Sequence, residues 1–462
     1  MLSPVNKIPP EILSLIPDFW NTHERNQNLV ALTHACRAWR ELFISRSSLW
    51  TYFDFVDEEK TQVYLERSKS SPVNLSLDLS EVTPLCDPFF QVIPHITGRL
   101  RSLFILGPLE DVEVVTRVIS HLSHPAPLLE HLSIRAGGES VPDHYPTLPS
   151  TLFNGDLPSL RTLYLESIHT ELPWRNMVNL TSFILSYIPI GAVSVGQLLD
   201  FVESAPHLEE VKLYSATPTA GAQNGRVVPL ACLKSMCIED DDHAPSVLLD
   251  HLLIPTGAKL EIQADLVSSL IGVHLPRSLD NLKNFSDFTA IKLCHDIYFP
   301  HMEFSGPNGQ VNIAITTSRS DLVDLTLGSL AELDTSKTKR LRIDGGYLLS
   351  WDPLYRALLP MKDLRTLTLS GCPNPGIFIR ALQPATSSSE VVVCPKLEEL
   401  VLVLHPHDMM SHLMSVVEMA AARASRGKKL RTFRIVGGRD TANVDVLELR
   451  KHVWNVEYSP RD

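Results

Sequence analysis

The 462-residue sequence has few cysteines, no excess of basic residues and no long apolar run, and each absence excludes a class of protein. The seven cysteines are scattered and form no C-x-x-C pair, so they provide no disulfide framework. Lys and Arg number 41 against 53 Asp and Glu, which argues against nucleic acid or an anionic membrane as a partner, because both attract clustered cations. The longest apolar runs, such as 400–404, are too short to span a bilayer, and residues 1–10 lack the apolar core of a signal peptide. We therefore expect a cytoplasmic or nuclear protein with reduced thiols.

Catalytic motifs are absent as well. The sequence contains no G-x-x-x-x-G-K-[ST], no G-x-G-x-x-G, no H-E-x-x-H and no G-x-S-x-G. Three groups contain side chains of the kind that bind metals: His405, His407, Asp408 and His412; His121 and His124; and Asp240, Asp241 and Asp242. A turn before a helix, a helix end beside a proline and a solvated loop explain them better. We expect no enzyme activity, no cofactor and no metal site.

A short apolar template recurs along most of the chain. The unit is apolar-x-x-apolar-x-apolar, and a weaker copy occurs at Leu341 and Ile343. The eleven full copies begin at Leu100, Leu129, Leu160, Leu180, Leu208, Leu233, Phe288, Leu322, Leu364, Leu397 and Leu430. The long step between 233 and 288 predicts a degenerate copy near Leu260 and Ile262. Alternating apolar residues at the end of each copy predict a short strand.

Helical segments are predicted between these strands. They cover 109–122, 354–359 with Asp352 as N-cap, and 408–426 closed by Gly427. A strand and a helix every 20 to 34 residues are typical of an α/β leucine-rich-repeat-like solenoid. The alternative is an irregular α/β domain whose strands share a leucine pattern. Leucine-rich repeats usually carry Asn or Cys three residues after the last apolar position, and only Cys372 fits, so the repeats are degenerate.

The N-terminal segment has a different pattern. Pro9 and Pro10 open a short helix that Pro17 should end, and a polar stretch follows over 21–28. Apolar residues then recur at helical spacing, at Leu29, Leu32 and Cys36 and again at Trp39, Leu42 and Phe43. Three short helices bury little surface alone, so we expect this unit to lean on a partner or on the next domain.

This segment resembles the F-box family. The matching residues are Ile8-Pro9-Pro10-Glu11-Ile12-Leu13, Leu29, Leu32, Cys36-Arg37-Ala38-Trp39-Arg40 and Ser48-Leu49-Trp50. The continuation over 64–73 is similar to fungal members, and the resemblance covers about residues 6–79. It implies a small three-helix module that binds a Skp-type adaptor through Ile8, Pro9, Ile12, Leu13, Leu32, Cys36, Trp39 and Trp50. The alternative is that Trp39, Leu42 and Trp50 are core residues of a helical cap on the repeats.

These patterns together predict an α/β protein with an F-box domain over 1–55, a connecting segment with a first strand over 56–95, and a solenoid over 96–462. The resemblance implies a substrate-recognition subunit of an SCF-type E3 ubiquitin ligase, which binds the adaptor, through it a cullin, and a client protein. Such a receptor needs no catalytic group, because holding the client near activated ubiquitin supplies the rate gain. The alternative is an F-box-containing repeat scaffold without a ubiquitination client.

The client surface is predicted from strand alternation. Residues that flank the central apolar position of each copy should share one face. Six of them are candidate client-binding residues: Tyr164, Lys212, Lys292, Arg340, Arg342 and Arg434. With Glu210, Asp324 and Glu399, the charged residues of this face number five cations against three anions. This excess suggests an acidic or phosphorylated client segment, although a random distribution of surface charge would give a similar count.

Overall fold

The protein is described here from a computed structural model. The structure describes residues 9–13, 15–16, 22–54, 58–79, 87–108, 112–137, 145–149, 151–172, 174, 177–218, 221, 225–240, 245–264, 274–295, 300–315, 322–345, 351–372, 375–383, 392–404, 413–437 and 443–459. The chain divides into two compact units, Met1–Glu209 (unit 1) and Glu210–Asp462 (unit 2). Both units combine helices with mostly parallel strands, so the predicted α/β class is confirmed. None of the helices in these ranges is long and apolar enough to cross a membrane.

Unit 1 begins with helices and continues with parallel strands. Its helices are α1 Pro10–Leu13, α2 Thr22–Ala35, α3 Arg37–Ser45, α4 Glu58–Ser68, α5 Asp87–Ile96, α6 Val112–Ser120 and α7 Val195–Glu203. Its strands are β1 Tyr52–Phe53, β2 Val73–Asp78, β3 Leu100–Gly107, β4 His131–Ala136, β5 Thr162–Glu166 and β6 Ser182–Ser186. They pair in chain order, and every pair is parallel.

The repeated template sets the register of these strands. Leu103, Leu132, Leu163 and Phe183 are Cα partners across β3 to β6, and all four are buried. Backbone hydrogen bonds extend the alignment ahead of the strands, where Glu130 N–H donates to Arg101 O at 2.8 Å and Arg161 N–H donates to Glu130 O at 2.7 Å. Each copy therefore buries its apolar residues directly against those of the next copy.

Unit 2 has the longer series of strands. Its helices are α8 Pro245–Leu249, α9 Leu322–Ala331, α10 Asp352–Leu358, α11 Pro375–Arg380, α12 Leu413–Ser425 and α13 Asn443–His452. Its strands are β7 Glu210–Tyr214, β8 Val228–Pro229, β9 Ser235–Glu239, β10 Leu252–Leu253, β11 Lys259–Ala264, β12 Ala290–His295, β13 His301–Gly306, β14 Gly309–Ile315, β15 Arg340–Gly345, β16 Thr366–Ser370, β17 Glu399–Val403, β18 Leu430–Val436 and β19 Val453–Ser459. The main sheet of this unit has the order β7-β9-β11-β14-β13-β12-β15-β16-β17-β18-β19, and β8 pairs with β10 separately.

The pairs of β13 with β12 and β14 are antiparallel, whereas the other pairs of the main sheet are parallel. The predicted degenerate copy near Leu260 and Ile262 is confirmed as β11, which pairs with β9 and β14. The antiparallel hairpin of β13 and β14 was not predicted, because neither strand carries the repeated template.

Backbone in the left-handed region ends several strands. Ser167 and Tyr187 follow β5 and β6 with φ of 54° and 51°, and Gly371 follows β16 with φ of 61°. The Ser167 N–H donates to Ser186 O and the Gly371 N–H donates to Val403 O, both at 2.9 Å, so the next strand satisfies these turn donors without an asparagine side chain. Cys372 does occupy the predicted turn position. It is buried, and its thiol lies 3.3 Å from Gly345 O at the end of the neighbouring strand.

One predicted strand was wrong. The copy that begins at Leu322 lies in helix α9, not in a strand. Val323, Leu327 and Leu330 are buried at helical spacing, so the helical period of the segment prevails over its leucine template. Asp324 therefore belongs to a helix, and it is not a member of the predicted strand face.

The helix predictions hold with shifted boundaries. The polar stretch 21–28 is mostly part of α2, so this helix begins earlier than its apolar period indicates. Asp352 is the first residue of α10 rather than its N-cap, and its carboxylate pairs with Arg356 at 2.8 Å. The predicted helices over 109–122 and 408–426 correspond to α6 and α12, and Gly427 ends α12 with φ of 69°. Residues 109–111 and 405–412 lie outside the described ranges.

Candidate functional site

The predicted adaptor-binding residues do not share one environment. Pro9 and Cys36 are exposed, Ile12 is 55% exposed, and Leu32 and Trp39 are half-buried. Leu13 and Trp50 are buried, at 5% and 0% exposure, and Ile8 lies outside the described residues. A partner could therefore reach five of the eight predicted residues directly in this structure.

Trp50 contributes to the core of unit 1. Its indole N–H donates to Phe43 O at 2.8 Å, which ties the turn Ser47–Trp50 to helix α3. The Arg67 guanidinium lies over the indole at 4.3 Å, and the Tyr64 ring meets it edge-on at 5.0 Å. Burial raises the pKa of Tyr64 to about 12. Helix α4 and the end of the N-terminal helices thus share one aromatic core.

Exposed apolar side chains remain on the N-terminal helices. Besides Ile12, Leu15 is 48% exposed and Val30 is 37% exposed. Neither was predicted as an adaptor contact, although the three-residue step from Ile12 to Leu15 is a helical spacing that could have indicated it. These exposed apolar side chains occur in the same N-terminal segment as the buried Leu29 and Phe43, and a partner could cover them.

In unit 1, Tyr164 belongs to a polar cluster on the strand face. Its hydroxyl donates to Glu166 Oε2 at 2.5 Å, and Arg135 Nε donates to the same oxygen at 2.7 Å. Arg135 also lies 5.4 Å from the Tyr164 ring centroid. Burial, then the hydrogen bond to Glu166, raises the pKa of Tyr164 to about 12, so the phenol is the stable form. Glu166 is 3% exposed, and its charge is neutralised within the cluster.

In unit 2, the strands place four of the predicted client residues in one transverse row. Cα pairing across the main sheet of this unit aligns Lys212, Cys237, Glu261, Asn312, Glu303, Lys292, Arg342, Thr368, Val401, Arg434 and Glu457. Arg340 lies in the adjacent row, opposite Ala290 and Thr366. Residues far apart in the sequence therefore share one face of this sheet.

Most cations of this face have carboxylate partners. Lys212 Nζ lies 2.8 Å from Glu210, and this hydrogen bond raises the lysine pKa. Arg434 lies 2.8 Å from Glu457 and 3.5 Å from Glu399, and the hydrogen bond to Glu457 raises the pKa of Arg434. The prediction from the sequence treated the charges of Lys212 and Arg434 as available to a client, but these ion pairs neutralise them.

The charge balance of the face differs from the count made on the sequence. The outward positions of the main-sheet strands of unit 2 carry six Lys and Arg, at Lys212, Lys259, Lys292, Arg340, Arg342 and Arg434. They also carry seven carboxylates, at Glu210, Glu239, Glu261, Glu303, Asp344, Glu399 and Glu457. The face as a whole is therefore not cationic, and any anion preference must come from a local cluster.

The candidate metal groups have structural surroundings where the structure describes them. Asp240 is buried, and its Oδ2 accepts from Thr217 N–H at 2.9 Å. His121 Nδ1 lies 2.9 Å from Arg117 O at the end of α6. Asp241, Asp242 and the group from His405 to His412 lie outside the described residues. Within the described ranges, no three His, Cys, Asp or Glu side chains come together as a metal site would require.

Comparison with known proteins does not identify the chain. No protein-family model matches it. No curated protein matches it either.

Proposed function

We propose that this protein is the substrate-recognition subunit of an SCF-type E3 ubiquitin ligase. Its N-terminal helices would bind a Skp-type adaptor, and through it a cullin, as an F-box does. The strand faces, in a leucine-rich-repeat-like solenoid, would hold a client protein. In this proposal the chain binds and positions, and the ligase machinery carries out the chemistry.

The observation that carries the proposal is the apolar surface of the N-terminal helices. Pro9, Ile12, Leu15 and Val30 are exposed in this segment, whereas Leu29, Phe43 and Trp50 are buried. A contiguous group of exposed apolar side chains usually marks an interaction surface, and in this proposal these four side chains form one. The resemblance of residues 6–79 to the F-box family names the adaptor as that partner.

The direct test is adaptor capture by the Pro9→Ala/Ile12→Ala variant. Because truncated interface anchors usually cost about 2 kcal/mol or more, we expect capture to weaken about 30-fold. Ile12→Glu is a second variant, which leaves Pro9 in place and puts a charge at a side chain that is 55% exposed. Circular dichroism shows whether the fold is retained.

A matched control removes exposed apolar groups elsewhere in unit 1. Val63 and Ile190 are 37% and 77% exposed, and neither belongs to the N-terminal helices. Val63→Ala/Ile190→Ala should leave adaptor capture unchanged. Full capture by folded Pro9→Ala/Ile12→Ala and Ile12→Glu proteins would refute the proposal.

A repeat scaffold without a ubiquitination client is the alternative to a substrate receptor, and the proteins that copurify with the chain distinguish the two. A substrate receptor should be recovered with a cullin and a RING subunit, and the client should gain ubiquitin in their presence. A scaffold would bind the adaptor, but the proteins captured by its strand faces would not be modified.

A further inference from the structure

Three cations meet on two neighbouring strands of unit 2. Strand β12 pairs directly with β15, so that Lys292 is the Cα partner of Arg342 and Ala290 is the Cα partner of Arg340. Arg340 and Arg342 are both outward residues of β15, two positions apart. We call Lys292, Arg340 and Arg342 the β12–β15 cation cluster.

The carboxylates around the cluster do not balance it. Arg342 Nε donates to both carboxylate oxygens of Asp344, at 2.7 and 2.8 Å, and Lys292 Nζ lies 3.9 Å from the same carboxylate. Glu303 on β13 is the Cα partner of Lys292, but this pair is not within salt-bridge distance. The three cations therefore have two carboxylates nearby, Asp344 and Glu303, and Arg342 and Lys292 share Asp344.

Arg340 is the open member of the cluster. It is exposed, and within the described ranges it has no carboxylate partner. Its two neighbours across the sheet, Ala290 and Thr366, are small and leave its guanidinium accessible. Arg342 uses Nε for Asp344, and its side chain remains 51% exposed.

We infer that the β12–β15 cation cluster binds an extended acidic segment of a client, with carboxylates at alternate positions. Two residues along a strand span about 6.6 Å, so Arg340 and Arg342 present their guanidinium groups at about the spacing of alternate side chains in an extended peptide. Arginine donors suit carboxylates geometrically, and like charges on partner positions favour an added anion. The inference deepens the proposed receptor function and rests on it for the identity of the ligand as a client.

The test uses the full chain without adaptor and three fluorescein-labelled, alanine-based peptides. One has two glutamates at alternate positions, one has the two glutamates adjacent, and one has a single phosphoserine. Binding is measured by fluorescence polarisation at two salt concentrations. The alternate peptide should bind tightest, because adjacent side chains of an extended segment point to opposite faces. Its binding should weaken with salt.

Arg340→Glu/Arg342→Glu should reduce binding of the alternate peptide about tenfold or more, because it removes the charged donors and adds repulsion. The charge-matched control is Lys259→Glu/Lys451→Glu, whose lysines lie on β11 and α13 and pair with Glu261 and Glu448. This control should bind the peptide as the wild-type chain does.

Equal losses in both double variants would overturn the inference, because net charge alone would then explain binding. It would also fail if the phosphoserine peptide bound and the alternate peptide did not, or if none of the peptides bound. Adaptor capture is measured separately. The two measurements are independent. If the peptide binds as inferred but Ile12→Glu does not affect adaptor capture, the proposed ligase role is refuted, whereas the acidic-segment site is not.

Discussion

Arg423 offers a sharp test of how unit 2 is held together. It lies on α12 and is 1% exposed, yet among the described residues no carboxylate accompanies it. Its Nη1 donates to Val393 O at 2.7 Å and its Nη2 donates to Cys394 O at 2.8 Å. Cys394 has a left-handed backbone, with φ of 48°, in the segment that leads into β17. Arg423 therefore fixes a strained turn to the helix that packs beside it.

The perturbation is Arg423→Met, which keeps much of the side-chain volume and removes the donors. Two opposing effects set its magnitude. Each buried carbonyl left without a donor costs about 1–3 kcal/mol. Removing the buried charge offsets part of this free-energy cost. Burial lowers the pKa of Arg423, as expected for a cation that is costly to bury. The carbonyls stay buried after the substitution, so we expect a net destabilisation of about 2 kcal/mol.

Urea unfolding followed by circular dichroism gives the global effect. Hydrogen exchange over 393–404 gives the local effect, because a long repeat protein need not unfold in one step. Arg423→Lys should also destabilise, since an ammonium cannot reach both carbonyls as a guanidinium fork does. Arg450→Met, at an exposed position on α13, is the control and should change little. An Arg423→Met protein as stable as the wild type would show that the cost of burying the charge fully offsets both hydrogen bonds.

Two further predictions concern buried positions. Burial lowers the pKa of His274 to about 4 from its ordinary value of 6.5. As the pH falls, the unfolded chain therefore takes up a proton at this histidine before the folded chain does. The free energy of unfolding is unaffected above about pH 6.5 and falls by up to about 3 kcal/mol towards pH 4. His274→Leu should flatten this part of a pH-dependent unfolding profile. At Gly107, an added Cβ would lie 2.3 Å from Val115 Cγ2. Gly107→Ala should therefore lower the free energy of unfolding by about 1–3 kcal/mol, and adding Val115→Ala should restore part of the loss, whereas strictly additive losses would contradict the steric explanation.

The repeated strands could be predicted well from the sequence. Most copies of the template form strands, because alternation places apolar residues on one side of a sheet whatever the neighbouring strand is. The copy at Leu322 failed for a local reason. Its apolar residues satisfy a helical period as well, and the three apolar positions of one copy cannot separate a helix from a strand. The hairpin of β13 and β14 was missed because it interrupts the series without carrying the template.

The candidate surfaces were predictable only as lists of residues. The N-terminal motif indicated Pro9, Ile12 and Trp50 alike, since a family pattern does not distinguish a contact residue from a core residue. Burial separates them, with Ile12 55% exposed and Trp50 fully buried. Likewise, alternation selected the outward residues of each strand, but it did not reveal which carboxylates would lie beside which cations.

The sequence by itself determined the class of the fold, the positions of most strands and the outward face of each strand. These depend on the period of apolar residues, which is a local property of the chain. Tertiary structure alone decided that β12 lies beside β15, that Asp344 serves both Lys292 and Arg342, and that Arg340 stays open. Such neighbours come from strands far apart along the chain, and their pairing is set by packing the whole sheet rather than by any one segment.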